Sequence, residues 1–150
     1  MDDAACRQQA LDLLARREHS RLELERKLAV RDHPAEVIAR TLDQLEHSGL
    51  LDAARFAESF VRSRIGKGQG PLRIRRDLNE RGLSGDEVEH AIAAVEIDWT
   101  AIAQAVRKKK FGAKSPGAFK ERVRQSRFLQ YRGFTADQIR AVLNLDPDYD

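Results

Sequence analysis

The side chains best suited to nucleophilic or metal chemistry in this 150-residue chain are four histidines and one cysteine, and their spacing argues against both uses. His19, His33, His47 and His90 include no i,i+4 pair, the spacing that sets two imidazoles on one helical face around a metal. They read as exposed residues near helix ends. Cys6 shares an apolar helical face with Ala10, Leu13 and Leu14, so it reads as a small buried hydrophobe with nothing beside it to raise a thiolate. Glu23/Glu25 and Asp86/Glu87 fall in first turns of helices, where carboxylates complement the helix dipole. Gly66-Lys67-Gly68-Gln69-Gly70-Pro71 matches neither phosphate-loop pattern and reads as a joint, with Pro71 opening the next helix. The expectation is therefore a chain with no catalytic, cofactor-binding or metal-binding residue, and no enzyme.

The cations carry more information. The formal net charge is only +3, but it is strongly segregated. By segment it runs −2 over 1–50, +4 over 51–83, −5 over 84–98, +9 over 99–134 and −3 over 135–150. Ten cations against one acid within 99–134 lack the interspersed partners of an ordinary solvated surface, and point to an anionic partner. Lys120, Arg124, Arg127 and Tyr131 follow one another at helical spacing, with Phe119 and Val123 assigned to the opposite, inward face. Arg73 and Arg76 face away from Leu78 in the same manner, with Lys67 brought nearby by the glycine joint. Lys108, Lys109 and Lys110 follow Arg107 at a helix C-terminus, where cations also satisfy the dipole. Arg62, Arg64 and Arg132 complete the residues assigned to partner or DNA binding.

Something must position these groups, and it recurs. Leu22, Leu24 and Leu28 reappear 50 residues later as Leu72, Ile74 and Leu78. Val37 reappears as Val88 and Ile139, and Arg81-Gly82-Leu83-Ser84-Gly85-Asp86 as Arg132-Gly133-Phe134-Thr135-Ala136-Asp137, each at a step of 51. Three units fill the chain, spanning 4–49, 52–97 and 98–145. Each reads as three helices. Ser20 with Glu23 and Ser84 with Glu87 have capping-box spacing, Thr135 caps a last helix, and Gly49 and Gly82 mark helix ends. Period-two alternation is absent, so the fold class is all-α: three tandem three-helix repeats forming an elongated, curved molecule.

Other classes fall away. No apolar run approaches the roughly 20 residues a membrane span needs. The acidic start Met1-Asp2-Asp3 lacks the basic opening of a secretory signal, and a lone cysteine forms no intrachain disulfide. The expected setting is the cytoplasm, with no membrane partner.

Three strings resemble one family. Gly49-Leu50-Leu51-Asp52 with Arg55-Phe56-Ala57-Glu58-Ser59-Phe60-Val61-Arg62-Ser63-Arg64 is similar to the second module of RecX, the bacterial regulator of RecA recombinase. So are Gly70-Pro71-Leu72-Arg73-Ile74-Arg75-Arg76-Asp77-Leu78 with Arg81-Gly82-Leu83, and then Arg127-Phe128-Leu129-Gln130-Tyr131-Arg132-Gly133-Phe134-Thr135. The resemblance runs from about Ala5 to Leu143 and is weakest in the first module and in the acidic tail Asp146–Asp150. It implies helix-turn-helix-like modules that bind the RecA–DNA filament along its helical groove and inhibit recombinase, ATPase and coprotease activities; the expected oligomeric state is a monomer. Recombination, DNA repair and the SOS response would thereby be modulated, with weak, salt-dependent binding to single- and double-stranded DNA.

The alternative is a helix-turn-helix regulator acting on naked duplex DNA, which calls for one helix in a major groove with base-reading side chains. A metal-dependent nuclease is a weaker third reading, testable with DNA and magnesium ions. The filament reading predicts that the double variant Arg124→Glu/Arg127→Glu keeps its helicity by circular dichroism and loses affinity for RecA-coated single-stranded DNA. Unchanged affinity would remove these arginines from the site.

Overall fold

The computed structural model describes residues 3–143; Met1, Asp2 and everything from Asn144 on, including the acidic tail and the last residues assigned to the third repeat, lie outside the described residues. Among the described residues there are nine helices and no strand. They are α1 (Asp3–Arg16), α2 (Arg21–Val30), α3 (Ala35–His47), α4 (Ala53–Gly66), α5 (Pro71–Glu80), α6 (Gly85–Val95), α7 (Trp99–Phe111), α8 (Phe119–Arg132) and α9 (Ala136–Leu143). They divide into two compact units. One joins the described residues up to Phe60 with Leu78–Ala94, and the other joins Val61–Asp77 with those from Val95 on.

In the first unit, helix starts are set by local chemistry. Ser20 Oγ accepts from the Glu23 amide at 3.1 Å while Glu23 accepts from the Ser20 amide at 3.0 Å. Ser84 and Glu87 repeat the reciprocal pair at 3.2 and 2.9 Å, so each box satisfies two amides that a helix start leaves unpaired. Helices α1 to α3 turn Cys6, Ala10, Leu13, Leu24, Leu28, Val37, Ile38, Leu42 and Leu45 into one core, closed by Leu51. Burying a leucine such as Leu24 or Leu28 contributes about 2 kcal/mol. Arg21 clamps α2 to α3 by reaching Glu25, Asp43 and Glu46. Arg55 bonds Glu18 and the carbonyls of Gly49 and Leu50.

His19 departs from the expectation of an exposed histidine: it is only 2% exposed. The turn between α1 and α2 folds its ring inward, where Nδ1 meets the Arg17 carbonyl at 3.1 Å and Nε2 meets Lys27 Nζ at 2.9 Å. Burial holds its pKa below the ordinary imidazole value. The ring is a neutral relay between a backbone acceptor and an ammonium donor.

In the second unit, Ala103, Leu129, Phe134, Ile139, Val142 and Leu143 form the core, with Trp99, Ile102, Val106 and Phe128 against it. Asp98 caps α7 through the Ala101 amide at 3.1 Å, and Thr135 exchanges bonds with Gln138 at 3.2 and 2.9 Å to start α9. Two apolar residues depart from the inward placement. Phe119 is 74% exposed and Leu72 51%. Phe119 is the first residue of α8, and side chains lean toward a helix's N-terminus, so it projects past the end of the helix rather than into the core. Leu72 is in the first turn of α5 and lies instead beside an open hollow with Phe134 and Ile139.

One contact recurs in both units, between modules consecutive in sequence. Gly82 has φ +91°, and a Cβ there would stand 2.9 Å from Leu22 Cβ, in the first turn of α2. Gly133 has φ +101°, and its Cβ would stand 2.5 Å from Arg73 Cβ and 2.8 Å from Arg73 N, in the first turn of α5. The second contact is sealed by backbone: the Gly70 amide donates to Arg132 O at 2.8 Å and the Leu72 amide to Gly133 O at 2.9 Å. The first module carries Asp32 at the equivalent turn, with φ +67°. Gly133→Ala is expected to destabilise by roughly 3 kcal/mol or more, combining left-handed strain with a backbone clash. Asp32→Gly relieves strain only, and should stabilise by about 0.5 kcal/mol. Urea denaturation of both variants checks the opposite signs, and a Gly133→Ala protein as stable as the parent would refute the contact.

Candidate partner-binding surface

The second unit gathers cations around aromatic rings. Phe111 and Phe128 meet edge to face at 5.3 Å between centroids. Lys110 Nζ lies 5.8 Å and Arg132 Cζ 5.1 Å from the Phe128 ring, and Arg124 Cζ lies 5.1 Å from Phe111. Each cation sets its charged head over a ring face, a contact worth about 0.5–1 kcal/mol at exposed sites. Around Phe128, Lys67, Lys109, Lys110 and Arg132 rim a hollow of about 490 Å³ floored by Ile65, Ile102 and Val106. Arg132 Nη1 donates to Lys67 O at 2.9 Å, which fixes the glycine joint against α8.

A second hollow, about 680 Å³, lies along α8 between Phe119, Lys120, Glu121, Val123, Arg124 and Arg127. Phe119 and Val123 thus share a surface with Lys120, Arg124 and Arg127, contrary to their assignment to opposite faces. The reason is the position of Phe119 at the helix start, where it is exposed, and of Val123 one turn further, where it is half-buried. Gln125 Nε2 donates to Glu121 Oε1 at 3.1 Å, and Arg124 bonds the same carboxylate. Gln125 and then Arg124 hold that carboxyl below its ordinary range, so Glu121 stays ionised.

The remaining assigned residues are placed as follows. Arg73 lies over Tyr131, 5.9 Å from the ring centroid, with Tyr131 itself 78% exposed. Arg64 bonds Asp77 at 3.0 Å and Gln69 at 3.2 Å in a largely buried pair, so its charge is used inside the unit. Arg76 is exposed, 3.6 Å from Asp77. Arg62 and Arg76 line neither hollow. Lys108 is exposed at the end of α7. Among the described residues, Lys67, Lys108, Lys109, Lys110, Lys120 and Arg127 make no ion pair.

Arg107, grouped in the sequence with the lysines after it, is different: it is 2% exposed. Nε donates to Gln104 at 2.9 Å, and Nη1 to Gln125 at 3.3 Å and the Lys114 carbonyl at 3.4 Å. It ties the 112–118 connection to both helices and thereby sets where α8 begins. Nothing in its basic neighbourhood marks it, but position 125 does: Gln125 falls where the two earlier modules have buried Leu24 and Ile74. A polar residue on a core stripe signals a polar partner inside.

What the fold and this surface define is a protein of tandem three-helix modules, with cations interleaved with rings on the last of them and, among the described residues, no group of three metal-ligating side chains. Family models for the first, second and third three-helix domains of RecX match residues 6–45, 52–92 and 96–143. Regulatory protein RecX of Halorhodospira halophila is 51% identical over 138 residues, covering 92% of this chain and 86% of its own. That of Pseudomonas entomophila is 44% identical over 146 residues, covering 97% and 94%. A crystal structure of RecX from Lactobacillus salivarius aligns with TM-score 0.78 at 21% identity, covering 96% of this chain and 97% of that one, and so shares the fold. The chain belongs to the RecX family of regulatory proteins. No described helix is long and apolar enough to cross a membrane.

Arg107→Ala strips the donors from Gln104, Gln125 and the Lys114 carbonyl, and should destabilise by about 2–4 kcal/mol. Chemical denaturation monitored at Trp99 would show it; a loss under about 0.5 kcal/mol, the scale of an ordinary surface change, would mean the buried cation does not hold the connection.

Proposed function

We propose that this chain acts in the cytoplasm as a monomer that binds the RecA–DNA nucleoprotein filament and inhibits the recombinase, ATPase and coprotease activities, restraining recombination and repair without chemistry of its own. The observation that carries this reading is the set of exposed, unpaired cations of the second unit in a member of the RecX family. A filament presents phosphates and protein subunits together at regular spacing, so it rewards several modest contacts spread over consecutive modules. Occupying a position that another subunit needs is sufficient for inhibition. Phosphate contacts from about five cations would give a salt slope near −4 to −5, so affinity would fall steeply between low and physiological salt.

The naked-duplex alternative requires a base-reading helix, and the third helix of each module is poorly furnished for one. In α9 the Gln138 side chain is committed to the Thr135 amide and Arg140 to Asp137. In α6 the polar residues include Asp86, Glu87 and Glu89, which phosphates repel. In α3 Arg40 is paired with Asp3, and Asp43 and Glu46 bind Arg21. Fluorescence anisotropy should show at least tenfold tighter binding to RecA-coated single-stranded DNA than to naked duplex at physiological salt, with naked-DNA binding steeply salt-dependent and indifferent to sequence. Tight, sequence-preferring binding to naked duplex would replace this reading with the alternative.

A further inference from the structure

The two glycine turns describe a docking rule that the chain uses twice, and among the described residues no turn sits on the equivalent surface of the third module. Gly82 of the second module seats on Leu22 of the first, and Gly133 of the third seats on Arg73 of the second. The repeat places Leu22 and Leu72 on Val123, Arg73 on Arg124, and the buried Leu28 and Leu78 on buried Leu129. The acceptor of the third module is therefore the second turn of α8, and it borders the hollow lined by Phe119, Glu121, Val123, Arg124 and Arg127. Phe119 is 74% exposed there, among the most exposed large apolar side chains described.

We propose that this hollow is a protein-docking site that takes a turn of a partner, small at the point of contact and flanked by carboxylates. Three observations choose that occupant. First, the same position in both earlier modules receives a turn with no side chain at its apex. Second, α8 begins further back than α5 in the repeat, so its amides bond within the helix (Arg122 N to Ala118 O, 3.0 Å) and only side-chain surface is on offer, which suits a protein turn. Third, Lys120 and Arg127 rim an apolar floor without ion-pair partners among the described residues, while the lining carboxylate, Glu121, is taken up by Arg124 and Gln125, so the charge left open on the hollow is positive and selects acidic flanks. A phosphate backbone would use the rim and leave Phe119 and Val123 in water. A second copy is poorly suited, because the equivalent turn of the first module carries Asp32, whose Cβ occupies the space that Gly82 and Gly133 leave empty.

The inference rests on the filament reading for its partner: the turn belongs to a protein subunit of the filament. The test replaces Phe119 with the photo-crosslinker p-benzoylphenylalanine in the full chain and irradiates it with RecA-coated single-stranded DNA. The expected adduct is to RecA, mapping by mass spectrometry to a Gly, Ala or Ser flanked by Asp or Glu. In parallel, Val123→Trp, which fills the hollow, and Phe119→Ser, which empties it without touching the core, should each weaken filament binding at least tenfold. Adducts only to DNA, adducts only to another copy of this chain, or no adduct would overturn the proposal. So would parental affinity in both variants while the unsubstituted protein binds the filament. If the unsubstituted protein does not bind the filament at all, the filament reading fails and takes this inference with it.

Discussion

The rest of the structure depends on a glycine turn that lets one three-helix module touch the backbone of the one before it. At Gly133 a methyl group would lie 2.5 Å from Arg73 Cβ, so the position excludes every side chain by sterics before conformational strain is considered. The approach also completes hydrogen bonding. The start of α5 has no capping side chain, and its amides at Gly70 and Leu72 are met by the carbonyls of Arg132 and Gly133. A helix start that would otherwise need water is closed by the turn packed on it. Three small modules, each with a thin core, thereby gain buried contacts that none of them has alone.

That economy shapes the surface. Because little apolar area is available, polar side chains do structural duties inside: Arg64 with Asp77, Arg107 with Gln125, His19 between Arg17 and Lys27. The cations left over gather on α7, α8 and the joint before α5, held apart by Phe111 and Phe128. Rings between like charges lower their mutual repulsion by separating them while attracting each one through the ring face. The result is a dense cationic surface that does not need acids to stabilise it and is therefore available to an anionic partner.

Much of this was legible in the sequence. The helix starts were, because Ser20/Glu23, Ser84/Glu87 and Thr135 act on amides within three residues. The recurrence of Gly82 and Gly133 was visible too, but its reason was not, since the contact joins residues some 60 apart that no local pattern relates. The cationic segment was visible as a run of charge, while the fate of individual charges depended on burial. Arg107 looked like its lysine neighbours and is enclosed by the path of 112–118, which local spacing does not specify. Phe119 looked like a core residue, and its exposure follows from where α8 starts. His19 was hidden by the same kind of cause, a turn that folds inward.

We propose that these cations and the docking rule serve occupancy of a recombinase filament rather than a reaction. The most direct test is RecA's single-stranded-DNA-dependent ATP hydrolysis, followed at steady state with and without this protein. Substoichiometric protein should slow hydrolysis progressively after filaments have formed, and Lys109→Glu/Lys110→Glu protein should slow it much less at the same concentration. Unchanged hydrolysis at saturating protein would contradict this reading.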